Sequence, residues 1–261
     1  MQIIDIHTHI YPVKIADAAV NSIRDFYHLD GRRMDGTTAM LNLRMQQAGI
    51  SRCVVLPVAN KASHVQSINN FIHQEVQDNP NFVGFGTVHA AMADLADEVA
   101  RIQEMGLKGI KIHPDFQQFD IDDPRLFPMY ESIQGKLPVI FHMGDPQYDF
   151  SHPTRLRHIL QLFPELETIG AHLGGYSMYE TACEILKDTN CVMDLSSASI
   201  FLGPRETERY VNLYGAERLA FGSDYPLWDP VEEVQRFLAL DLTSEQKEQI
   251  AHKTAERILK L

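Results

Sequence analysis

The 261-residue chain has only three cysteines, Cys53, Cys183 and Cys191, and no C-x-x-C pair. So few and so scattered thiols exclude a disulfide scaffold, and reduced cysteines point to a cytoplasmic protein. No apolar stretch approaches the roughly 18 uncharged residues of a membrane helix. The opening, Met1-Gln2-Ile3-Ile4-Asp5, lacks the basic-then-apolar pattern of a signal peptide, and none is expected. Positive charge is scarce: 23 Lys and Arg face 35 Asp and Glu, a formal net charge of −12. That balance argues against nucleic acid as a partner. It leaves an anionic small molecule open, because a metal can reverse the field inside a cleft. A glycine-rich phosphate loop is also missing, since His-Thr-His-Ile-Tyr-Pro at 7–12 follows the first apolar run.

What the chain does have is rhythm. With 44% hydrophobic and 22% charged residues it can bury a large core. Apolar runs at 2–7, 52–58, 82–88, 107–112, 137–142, 167–171, 190–195 and 218–222 read as buried parallel strands. Amphipathic segments separate them. Asp94 to Met105 sets Leu95, Val99 and Ile102 on one face, and 153–163 does the same with Leu156, Ile159 and Leu160. Pro124 and Pro153 suit first turns, Pro230 leads into another helical run, and Thr243-Ser244-Glu245-Gln246 is a capping box. This alternation predicts a (β/α)8 TIM barrel, with 1–261 as one domain; a doubly wound open sheet is the runner-up. The longest irregular stretch, 26–37, falls in the first strand-to-helix excursion, at the active face, as a lid or an exposed loop.

The strand ends carry the chemistry. Six of the 12 histidines, His7, His9, His89, His113, His142 and His172, stand where predicted strands finish, and Asp224 ends the last. In a barrel those ends meet at one mouth, where such folds keep their active sites. His7 and His9 share a face at strand spacing. With His142 and Asp224 they supply the nitrogen and carboxylate set of a zinc-type site. A divalent cation held there lowers the pKa of water toward neutrality. His172 and Asp224 are the candidates to move protons.

Taken singly, each residue also has a structural reading. A strand-end histidine can be a hydrogen-bonded core residue, and Asp224 can serve a turn in Ser223-Asp224-Tyr225-Pro226. Asp5 can cap backbone or steady a histidine. Lys111, inside an apolar run, needs a partner: an acidic neighbour, a substrate carboxylate, or carboxylation into a bridge between two metals. His89 and His113 bind substrate or fill polar niches. Cys53 and Cys191 read as core. Trp228 walls a pocket or packs under a loop. Gly174-Gly175 opens a helix or makes a tight turn, and Arg32 and Arg33 read as solvated.

The motifs Asp-Ile-His-Thr-His at 5–9, Gly-Ile-Lys-Ile-His-Pro at 109–114, Pro-Val-Ile-Phe-His at 138–142, Ala-His-Leu-Gly-Gly at 171–175 and Phe-Gly-Ser-Asp-Tyr-Pro at 221–226 run nearly the whole length. Together they resemble the amidohydrolase superfamily, and within it the branch of aminocarboxymuconate-semialdehyde decarboxylase and related hydrolases. The resemblance implies a distorted (β/α)8 barrel with one divalent metal, usually zinc. It makes His7, His9, His142 and Asp224 ligands and gives His172 the task of orienting or deprotonating water. Two metals bridged by a carboxylated Lys111 are the alternative.

These readings lead to an expected metal-dependent hydrolase of a small carboxylate, amide or lactone. Non-oxidative decarboxylation ranks second, because the motifs that carry the resemblance do not locate the arginines that grip carboxylates in the decarboxylases. A catalytically silent binding barrel is third. A homodimer is compatible with all three.

Overall fold

The computed structural model describes residues 1–30 and 34–261. Gly31, Arg32 and Arg33, and with them part of the irregular stretch at 26–37, lie outside the described residues. The strands are β1 (Ile4–Thr8), β2 (Arg52–Val55), β3 (Phe82–Gly84), β4 (Gly86–Thr87), β5 (Ile110–Ile112), β6 (Val139–Phe141), β7 (Thr168–Gly170), β8 (Val192–Asp194) and β9 (Leu219–Ala220). Between them run α1 (Val13–Phe26), α2 (Thr38–Ala48), α3 (Val65–Asp78), α4 (Leu95–Glu104), α5 (Pro114–Gln117), α6 (Phe127–Ile133), α7 (Pro153–Leu162), α8 (Tyr179–Leu186) and α9 (Ala198–Tyr214). After β9 come α10 (Pro230–Ala239), α11 (Ser244–Glu248) and α12 (Thr254–Leu259).

Every strand pairs parallel with its sequence neighbour, in two runs, β1-β2-β3 and β4 through β9. The run predicted at 82–88 breaks at Phe85, where pairing passes from one side to the other. Phe85 N–H donates to Val55 O, and Gly86 N–H donates to Gly109 O. Gly109 is needed at this seam, since a Cβ there would stand 2.4 Å from the Phe85 ring. The other seam closes through Ile6 N–H to Phe221 O at 2.9 Å and a parallel bridge between Thr8 and Tyr225. The eight predicted strands thus form a closed (β/α)8 barrel, and the open doubly wound sheet is set aside.

The core divides into two layers. Inside the barrel, Ile4, Ile6, Val54, Val83, Phe85, Ile140, Ile169, Val192 and Ala220 pack with Ala255, Ile258 and Leu259 of α12. That helix lies across the N-terminal strand ends, where Lys260 Nζ reaches Gly135 O. Outside, strand residues such as Cys53, Ile110 and Ile112 meet the helices' apolar faces. All three cysteines are buried and free. Thr243 forms its capping box, and Pro124, Pro153 and Pro230 occupy first turns. Among the described residues, no helix is long and apolar enough to cross a membrane.

Candidate active site

One buried cavity at the C-terminal mouth is lined by His7, His9, Lys111, His113, His142, His172 and Asp224. Ile4 and Ile6 belong to the inner apolar cluster, so strict alternation would aim Thr8, not His7, at the axis. The β1–β2 register slips between Asp5 and Thr8, and this irregularity re-aims His7 toward the mouth. Asp5 Oδ1 fixes the turn by accepting from His7 N–H (3.1 Å) and Ser223 N–H (3.0 Å). Burial pushes the Asp5 carboxyl up to about 7.

Hydrogen bonds decide which nitrogens are free. His7 Nδ1–H donates to Asp194 Oδ2 at 2.8 Å, and His9 Nδ1–H donates to Leu56 O at 2.7 Å. Both Nε2 lone pairs then face Asp224 Oδ1, at 3.5 and 3.7 Å. Asp224 cannot turn away: Trp228 Nε1–H donates to Ser197 Oγ, which donates to Asp224 Oδ2 at 2.7 Å. Three electron-pair donors thus converge, within 4.8 Å of one another. Lys111 Nζ stands 3.4 Å from His7 Nε2. Such a set repels itself unless a cation sits among it, so the residues present fit a divalent metal.

A second chain of bonds runs across the cavity. Phe116 N–H donates to His113 Nδ1, which leaves His113 Nε2–H to donate to Tyr27 Oη at 2.9 Å. Tyr27 Oη–H then donates to His142 Nε2 (2.9 Å), and His142 Nδ1–H to His172 Nε2 (3.1 Å). His172 Nδ1–H ends on Ser196 O at 3.1 Å. The anchors at both ends set the tautomers. His113 and His142 lie flat on each other, 4.0 Å between centroids and 5° apart.

Burial, with help from neighbouring cations, lowers the pKa values of His9, His113, His142 and His172. It takes His9 to about 3 and puts His113 and His142 well below the usual imidazole range. His172 also shifts down, burial again leading. Burial would raise Asp194 and Asp224, but His7 and His172 beside each carboxylate hold it below the usual range. Lys111, with no exposed surface, is lowered by burial to about 8. Neutral imidazoles and ionised carboxylates are the protonation states a metal requires.

The structure brings His7, His9 and Asp224 together at one point of the cavity. His142 lines the same cavity, but its Nε2 is turned to Tyr27. His172 and His113 are there, and Lys111 is buried beside His7. His89 is apart: it accepts from Ala91 N–H, packs on Phe119 and does not line the cavity. The Gly174-Gly175 pair opens no helix. It ends a turn in which His172, Leu173 and Gly174 all take positive φ, and α8 begins only at Tyr179. Ser197 and Asp224 share that left-handed conformation, at φ 61° and 62°. Such residues cost ~1–3 kcal/mol each and cluster at functional sites.

Two residues escaped the sequence reading. Asp194 binds His7 Nδ1 and accepts from the His172 and Ser196 N–H groups, both at 3.0 Å. Its signal was present, an acid closing the apolar run Val192-Met193-Asp194, as Asp224 closes the last. Tyr27 had no signal, because only the packing of α1 over the mouth delivers it.

The sequence profile of the family described as Amidohydrolase matches residues 4–261. A curated relative, 2-amino-3-carboxymuconate-6-semialdehyde decarboxylase of Dictyostelium discoideum, is 28% identical over 201 residues. That match covers 62% of this chain and 56% of the relative's length. An uncharacterized TIM-barrel protein of Bordetella bronchiseptica superposes with TM-score 0.83 at 20% identity, covering 100% of this chain and 99% of that one. A 5-carboxyvanillate decarboxylase of Novosphingobium aromaticivorans, with bound manganese and 3-methoxy-4-hydroxy-5-nitrobenzoic acid, gives 0.79 at 18%, covering 100% and 97%. At these identities the two solved structures speak for the fold.

Proposed function

The chain belongs to the amidohydrolase family, and from that premise we propose that it decarboxylates a small organic acid without an oxidant, as one catalytic barrel over residues 1–261. The observation that carries this reading is the convergence of His7 Nε2, His9 Nε2 and Asp224 Oδ1 beside the ammonium of Lys111. These three would hold one divalent cation, with His142 joining once Tyr27 Oη gives up its Nε2. Zinc suits such donors, and manganese is the ion in the Novosphingobium structure. The sequence ranked hydrolysis first. The name of the Dictyostelium relative supports the second-ranked reading instead.

A bound cation supplies Lewis-acid polarisation of the substrate's oxygens. The residues do the rest. Lys111 Nζ donates to the departing carboxylate. The C–C bond breaks, its electron pair stays on the carbon skeleton, and carbon dioxide leaves. A proton must then reach that carbon: the Lys111 ammonium carries one beside the site, and His172 Nε2 or Asp224 Oδ1 would relay it, each taking up the proton before handing it on. The cavity offers about 40 Å³ between these side chains.

The test is anaerobic incubation of manganese- or zinc-loaded protein with carboxyl-labelled hydroxybenzoic and unsaturated acids, followed by mass spectrometry of the headspace. Labelled carbon dioxide with the matching shortened product is expected. Turnover of amides or lactones with no carbon dioxide would return the site to hydrolysis. No turnover of either panel by metal-loaded protein would leave a binding barrel.

A further inference from the structure

The catalytic cavity is small, and part of its wall is shared with a larger groove. Tyr11, Ile23 and Val58 line it on one side and on their other side line a groove of about 390 Å³. That groove lies between α1, which contributes Ile15 and Ala19, and α3, which contributes Ile68 and Phe71. None of its lining residues is Asp, Glu, Lys or Arg. The opposite flank of the mouth differs. There Asp30, Arg44, Asp229, Glu232 and Arg236 line a separate, charged hollow. Small-molecule sites of roughly 300–1,000 Å³ are mostly apolar, with their few polar groups gathered at one end. The groove and the histidine cavity together have that layout.

We propose that the groove between α1 and α3 holds the apolar body of the substrate. The acid turned over then carries an uncharged alkyl or aryl arm, its carboxylate at Lys111 and its arm along Ile15, Ile68 and Phe71. The decarboxylation reading enters only in fixing where the carboxylate sits. A doubly charged acid whose second anion had to enter this groove is disfavoured, because the lining offers Ser22, Asn60, His64 and Ser67 but no Lys or Arg to offset the lost hydration. Specificity is set by the α1–α3 spacing, with Ala19 as the small residue that keeps the groove open.

The test is calorimetric titration of zinc-loaded protein with acetate, butanoate, hexanoate and octanoate. Each added methylene buried in the groove should tighten Kd, by up to about fourfold. Ala19→Phe, which fills the groove, and Ile15→Asp, which puts charge in its wall, should both flatten the series. Ile15 is 52% exposed, so the fold tolerates that change. A flat series in the unaltered protein, with acetate bound, overturns the groove assignment and leaves decarboxylation standing. A rising series that survives both variants also overturns it. Tightening that requires no metal and no carboxylate, seen with the matching alcohols on metal-free protein, keeps the groove but removes the carboxylate from Lys111. If Ile15→Asp halves the mass by light scattering and the series stays flat, the groove is a contact between two copies.

Discussion

At the N-terminal end of the barrel, Ile4, Val54, Ile140 and Ile169 pack against Ala255, Ile258 and Leu259 of α12. Toward the C-terminal end the barrel strands carry or lead into His7, Lys111, His142, Asp194 and Asp224, all buried. The lower end gains from every apolar contact. The upper end holds desolvated charge, aligned lone pairs and non-glycine residues such as His172, Leu173, Ser197 and Asp224 at positive φ. One set of eight strands thus separates the part that stabilises from the part that is costly to hold. The cost is tolerable because a closed barrel anchors each mouth residue through its own strand.

Changes at one end should therefore move one readout and spare the other. The largest effect belongs to Asp224→Asn. It should abolish metal retention and lower turnover on the order of a thousandfold or more, with the circular-dichroism spectrum unchanged. Next, Ile140→Ala at the lower end should lose about 2–5 kcal/mol in denaturant unfolding, with metal content intact. Loss of metal without loss of stability there would break the division. Third, Asp194→Asn removes the acceptor that fixes the His7 tautomer. Metal affinity or activity should fall about 10–100-fold, read by competition with a chelating dye.

Fourth, Lys111→Met should stabilise the metal-free protein near pH 7 by about 1–3 kcal/mol. The sign follows from its pKa, about 8 when folded against ~10.4 unfolded. Between those values the unfolded chain binds more protons, so the stability of the unaltered protein rises with pH across that window. The advantage of the variant should shrink from pH 8 upward and vanish above about 10.5. A gap independent of pH would mean that Lys111 is fully paired. The smallest effect is that of Thr243→Ala, far from both ends, which should cost about 1 kcal/mol and leave metal and turnover untouched.

The lower end was the more legible in the sequence. Val, Ile, Leu and Phe runs announce buried parallel strands wherever they stand, and all eight were found. The mouth was legible as residue types at strand ends, which is why His7, His9, His172 and Asp224 were named. It was not legible as conformation. The slip in β1 that turns His7, the positive φ of His172 and the Ser197–Trp228 brace on Asp224 arise from contacts between residues far apart in the chain. Tyr27 and the α1–α3 groove depend on how a helix lies over the mouth, and no local pattern encodes that. His89 shows the converse: it has the strand-end signature, but its chain turns at Ala91 before the side chain can reach the cavity.

The most direct test is a manganese titration of chelator-treated protein, followed by electron paramagnetic resonance and checked by elemental analysis. The account predicts about one tightly held ion per chain, lost in Asp224→Asn and kept in Ile140→Ala. A chain that takes up no divalent ion, or about two with the second dependent on Lys111, would contradict it.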